Sequence, residues 1–122
     1  MTDLLAAGAE SVAIGTLLLT ADEAGTSATH RAALADPAFT ETVITHAFTG
    51  RPARALRNDF IERHGRTAPL GYPAIHHLTR ELRRAAARTG DPHGLHLWAG
   101  TGFKSARPGS VASIINHLAS RA

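Results

Sequence analysis

Cysteine is absent from all 122 residues, which excludes disulfides, thiolate metal sites, iron–sulfur clusters and a cysteine nucleophile at once. Lysine is nearly absent as well: twelve of the thirteen basic residues are arginine. Large aromatics are few, with one Trp, one Tyr and four Phe, so a core has to be built mainly from aliphatic and small side chains. No long apolar run exists. The longest, Val12 to Leu19, is interrupted by Gly15 and Thr16 and reaches less than half of the roughly 20 residues a spanning helix needs. The opening MTDLLAAGAE carries an acid at position 3 and no basic stretch ahead of an apolar one, so it does not resemble a secretory leader and a cytoplasmic location is expected. The net charge of +3 comes with ten acids interspersed among the arginines. Neither a nucleic acid nor a membrane is therefore expected as partner.

What is present, 43% hydrophobic and 19% charged residues, fits one small globular domain over residues 1–122. Asp3 to Ala9 has helical spacing closed by Gly8. Ser11-Val12-Ala13-Ile14-Gly15 is a short run of small and branched residues, as in a strand buried on both faces. Thr20 and Glu23 form a capping-box pattern for a helix to about Leu34. Thr42 to Phe48 is β-rich. A helix is expected from Pro52 to His64, then a loop over Thr67 to Tyr72, and another helix from Pro73 through Ala86 to Gly90. Leu95 to Trp98 is a brief extended piece, Ala99 to Gly109 is irregular, and Ser110 caps a last helix over Val111 to Ser120. Two strands with helices around them imply a β/α layer, yet two strands cannot complete a parallel sheet or a barrel.

Three blocks carry a resemblance. Gly8-Ala9-Glu10-Ser11-Val12-Ala13-Ile14-Gly15-Thr16, then Thr42 to Asn58 with its Gly50-Arg51-Pro52-Ala53-Arg54-Ala55-Leu56-Arg57 run, and finally Leu97-Trp98-Ala99-Gly100-Thr101-Gly102 resemble, in this order, the C-terminal part of nitronate monooxygenases, also called 2-nitropropane dioxygenases. The resemblance implies an α/β fold, the C-terminal portion of a TIM-type (β/α)8 flavin-binding barrel: the last barrel strand and the helices that follow it. A complete barrel needs about 250 residues, so an incomplete, helix-rich piece is expected. It also implies FMN as cofactor, and an alkyl nitronate with dioxygen as substrates of the complete enzyme. The family's catalytic histidine has no counterpart here, so no catalytic residue is assigned and the chain alone is expected to be inactive. A non-catalytic remnant or oligomerising interaction module without flavin is the alternative.

The family's Gln-x-Gly-Thr phosphate contact maps onto Ala13, Ile14, Gly15 and Thr16, with Ala13 in place of the glutamine. A glycine permits close backbone approach and a threonine hydroxyl donates to a phosphate oxygen, chemistry that suits the end of a late barrel strand. A buried strand end, with Gly15 serving packing and Thr16 a cap, is the structural alternative. Arg51, Arg54 and Arg57 would lean to one side of a helix and are expected to pair with Asp59, Glu62 or carbonyls. His46 is expected to hydrogen-bond within a sheet. His76-His77 and the His93, His96 pair lack the carboxylates and rigid spacing of a metal site, and none is expected. Thr101 stands where relatives usually carry glutamine.

Overall fold

A computed structural model describes residues 2–120. Its α-helices are α1 (Thr2–Ala6), α2 (Ala28–Ala35), α3 (Asp59–His64), α4 (Ala74–Leu78), α5 (Arg80–Thr89) and α6 (Val111–Ala119), and its strands are β1 (Thr42–Thr45) and β2 (Ala53–Leu56). Short 3-10 turns cover Thr16–Thr20, Pro92–Gly94 and Phe103–Ser105. The architecture is α/β and rich in helix, with no closed barrel among the described residues. None of the described helices is long and apolar enough to cross a membrane.

β1 and β2 pair antiparallel, Thr42 opposite Leu56 and Thr45 opposite Ala53. The turn between them depends on Gly50, whose φ of +76° suits a residue without Cβ. A Cβ there would also lie 2.7 Å from the backbone of Gly71 and Tyr72. The extended piece expected after Leu95 is present and runs beside β2: Leu56 N–H donates to Leu97 O at 2.9 Å and Ala99 N–H to Arg54 O at 3.1 Å.

Two clusters flank this sheet. Leu34, Phe39, Leu56, Leu95, Leu97 and Phe103 form the core of the larger, with Leu19 packed against it. Phe48, Ala55 and Ile61 form the second, completed by Val43, Phe60 and Trp98.

Several expectations are corrected. Ser11 to Gly15 is not a strand. A strand buried on both faces needs hydrogen-bonded neighbours on either side, and no other described segment pairs with it. Thr20 and Glu23 do not cap the expected helix: α2 begins only at Ala28, where the Ser27 side chain accepts from His30 N–H. Thr20 Oγ1 instead donates to Arg107 O at 2.8 Å, and Glu23 accepts from Val111 N–H at 2.9 Å. The loop from Thr20 to Thr26 is held by Arg31, whose guanidinium donates to Thr26 O, Thr20 O and Ala24 O. Pro52 opens no helix, because the Gly50 turn sends Ala53 to Leu56 back along β1. The first strand ends at Thr45, short of Phe48. The helix expected from Pro73 is broken at Thr79, whose hydroxyl donates to Phe48 O at 2.5 Å.

Elsewhere the sequence signals hold. Gly8 follows α1 with φ of +98°, Gly90 ends α5 in the left-handed conformation, and Ser110 caps α6 by accepting from Ser113 N–H.

Candidate cofactor site

Residues 13–16 lie where the exposed stretch after α1 turns into the Thr16–Thr20 3-10 helix. Ala13 and Gly15 are exposed, and Ile14 and Thr16 are half-buried. Because this stretch joins no ladder, the N–H groups of residues 13 to 16 have no hydrogen-bond partner among the described residues. The Gly15 Cβ position has nothing within 4 Å, so packing does not require a glycine there.

Thr16 is the link to the rest of the site. Its Oγ1 accepts from Gly100 N–H at 2.8 Å, tying the first resembling block to the third across 84 residues. The hydroxyl proton is not used by that bond and remains available to donate. The second block reaches the same turn through the Ala99 to Arg54 backbone bond. Residues 13–16 and the Gly100 turn are therefore brought together, while Thr101 is exposed at its edge. This donor set of open N–H groups, one hydroxyl and unfilled space at Gly15 fits an anionic group such as a phosphate.

The arginines of the second block do not add to it. Arg54 donates to Thr42 O and Oγ1, and Arg57 is paired with Glu41 at 3.0 Å and Glu62 at 2.7 Å. Arg54 and Arg57 are structural, as expected, although they lie on and beside β2 rather than along a helix, whereas the exposed Arg51 makes no side-chain hydrogen bond or ion pair among the described residues. His46 Nε2 bonds Ala68 O at 2.5 Å, so this nitrogen carries its proton. His93 pairs with Asp59 at 3.1 Å, and no group of three metal-ligating side chains converges among the described residues.

Sequence reasoning missed two half-buried imidazoles, each with one ring nitrogen sealed from solvent. His96 lies against Phe48 and Trp98, with ring centroids 6.0 and 5.2 Å away. His96 Nδ1 and His30 Nε2 are buried without a hydrogen-bond partner among the described residues. Burial, and then the positive charges of Arg83, His30 and His76, pushes His96 down to about 4. Burial also lowers His30, against an opposing backbone hydrogen bond at Trp98. Both folded values lie below the ordinary value of about 6.5, so protonation favours the unfolded chain. This contribution is complete above about pH 6.5 and is lost progressively as pH falls toward the folded pKa of His96. The urea midpoint is expected to fall as pH is lowered from about 6.5 to about 5. His96→Phe should flatten that slope, and an unchanged slope would assign the acid sensitivity to other groups.

A family model described as nitronate monooxygenase matches residues 1–121. The chain is similar to a probable nitronate monooxygenase of Staphylococcus saprophyticus, 36% identical over 118 residues that make up 94% of this chain and 33% of the relative. It is similarly related to one of Staphylococcus aureus strain Newman, 35% identical over 113 residues, 91% of this chain and 32% of the relative. Among solved structures it matches nitroalkane oxidase from Streptomyces ansochromogenes with a TM-score of 0.94 and 47% identity, covering 97% of this chain and 34% of that one. The chain thus spans about a third of the length of the relatives it matches. With a family model matching residues 1–121 of its 122, and with Thr16 of the first block bonded to Gly100 of the third, the chain belongs to the nitronate monooxygenase family.

Proposed function

We propose that this chain corresponds to the C-terminal portion of an FMN-dependent nitronate monooxygenase and supplies the phosphate subsite of its flavin through Ala13, Ile14, Gly15 and Thr16. The observation that carries this reading is the Thr16 Oγ1 to Gly100 N–H bond, which holds a spare hydroxyl proton beside four open backbone donors. When bound, the flavin supplies the redox chemistry, taking electrons from an alkyl nitronate and passing them to dioxygen. The residues of this chain bind and orient. Thr16 donates to a phosphate oxygen, Gly15 leaves room for the group to approach, and the Gly100 turn fixes the Thr16 rotamer.

In a protein carrying the whole family fold, Thr16→Val is expected to weaken FMN binding by about 1–2 kcal/mol, the loss of one donor to a charged oxygen. Gly15→Val should cost more, because the added side chain occupies the approach itself. An ordinary φ of −117° and the open space at its Cβ mean that such a loss reports ligand contact rather than strain. Unchanged flavin affinity in both variants would reduce this segment to a structural turn.

The 122-residue chain alone is expected neither to retain FMN nor to oxidise a nitronate. A few charge-assisted hydrogen bonds of about 1.5–3 kcal/mol each have to offset an immobilisation cost of about 4 kcal/mol or more. Absorbance of the purified chain and FMN titration with nitronate present test this directly. A yellow protein with stoichiometric flavin would overturn it. A colourless protein whose mass rises with concentration would favour the non-catalytic module instead.

A further inference from the structure

The junction of α4 and α5 gathers four cationic or cationisable side chains with no carboxylate among them. Arg83 donates from Nη2 to His76 O at 2.8 Å, with the same nitrogen 3.3 Å from His76 Nδ1, and from Nε to Thr79 Oγ1 at 3.3 Å. Arg80 Nη2 bonds His77 Nδ1. His76 and His77 are side by side, with ring centroids 5.5 Å apart. His76, Arg80 and Arg83 are half-buried, so their charges are less screened than those of a fully solvated face. Glu81, the one acid on these two helices, is engaged by Arg84 at 2.7 Å.

The hydrogen-bond directions decide what this cluster presents outward. A guanidinium only donates, so the Nδ1 atoms of His76 and His77 accept from Arg83 and Arg80, which leaves the ring proton on Nε2. Both imidazoles thereby offer a donor, as do the unused guanidinium N–H groups. The surface is donor-only and carries two permanent positive charges. Partial burial and the like charges of Arg83, His77 and Arg80 hold His76 below its ordinary pKa. An anion placed among these groups would relieve that repulsion.

We propose that His76, His77, Arg80 and Arg83 form a binding site for a phosphate group, taken as the dianion of a phosphate monoester or as free inorganic phosphate. Two guanidiniums match its charge, and several donors from two helices match its oxygens, which a singly charged carboxylate does with less to gain. The site is separate from residues 13–16, to which none of these four side chains bonds.

The test follows the imidazole resonances of His76 and His77 by NMR while the full chain is titrated with inorganic phosphate, with adenosine monophosphate, and with acetate and chloride at matched ionic strength. Saturable shifts with phosphate or the nucleotide, and weak linear drift with acetate and chloride, are expected. Tighter binding of the nucleotide would identify a monoester as the preferred source, and equal binding would identify the free anion. Arg80→Gln should weaken phosphate binding tenfold or more and the exposed His77→Gln about threefold, while Thr16→Val leaves it unchanged. Neither Arg80 nor His77 makes a side-chain bond beyond this cluster among the described residues, so both variants should fold. Identical drift with all four titrants, or full affinity in Arg80→Gln, would overturn the proposal. Loss of binding in Thr16→Val with retention in Arg80→Gln would assign the phosphate to the flavin subsite instead.

Discussion

Phe48→Ala is expected to destabilise the chain by about 3–5 kcal/mol, the range for emptying a buried aromatic site. Phe48 is fully buried. Its ring stacks on Phe60 at 4.5 Å and meets Trp98 edge-on at 6.3 Å, and its carbonyl accepts from Thr79 at the break between α4 and α5. One side chain thus joins the hairpin, α3 and the final extended piece, while its backbone anchors the helix pair. A small domain has little stability to lose, since native proteins exceed their unfolded states by only about 5–15 kcal/mol. Urea unfolding followed by tryptophan fluorescence measures the change, because Trp98 reports on the same cluster. Phe48→Leu, which keeps most of the volume, should lose less than half as much. A loss below about 1 kcal/mol for alanine would mean that the second cluster collapses around the gap.

Asn58→Ala should cost about 3 kcal/mol through polar groups rather than volume. The Asn58 side chain is buried and uses both ends: Oδ1 accepts from Ile61 N–H at 3.1 Å, capping α3, and Nδ2 donates to Pro92 O at 3.1 Å and Leu95 O at 2.7 Å. Losing the cap costs about 1 kcal/mol. Leu95 O, left in the interior without a donor, adds about 1–3 kcal/mol, whereas Pro92 O keeps the Leu95 N–H. Asn58→Asp separates these contributions, since a carboxylate retains the cap but faces two carbonyl oxygens without a proton. It should therefore be at least as damaging as alanine. Chemical denaturation at pH 7 distinguishes the two, and an Asp variant close to wild type would show that the two carbonyls find other donors.

Asn58 also illustrates what the sequence discloses. Its bond to Ile61 is local, the cap of the helix it precedes; its two bonds to residues 92 and 95 depend on a chain reversal that no local pattern announces. Helix ends marked by Gly8, Gly90 and Ser110 were legible because capping is decided within a few residues. The hairpin was not. Pro52 and the arginine spacing suit a first helical turn, and only the Gly50 crossing against Gly71, a contact between distant segments, commits Ala53 to Leu56 to β2. Thr20 and Glu23 likewise present a capping pattern but spend their side chains on residues 107 to 111. The candidate cofactor site was legible as residue types at 13 to 16, through the resemblance. The contact that organises it, with Gly100, is tertiary. The burial of a ring nitrogen in His30 and in His96 was not legible, because nothing around either in sequence signals that it will be sealed off.

The stretch from Glu10 to Gly15 has a consequence for handling the protein. It is irregular, largely exposed, and free of the ladder bonds that would hold its peptide groups out of reach. Proteases bind substrates as extended strands, using those same N–H and C=O groups. Limited digestion with an enzyme that cuts beside small or aliphatic residues should nick the chain here first, releasing α1 and leaving the body that begins near Thr16. Any surface that packs over this stretch would close the cleavage window, so the rate of that one cut would measure how far it is covered.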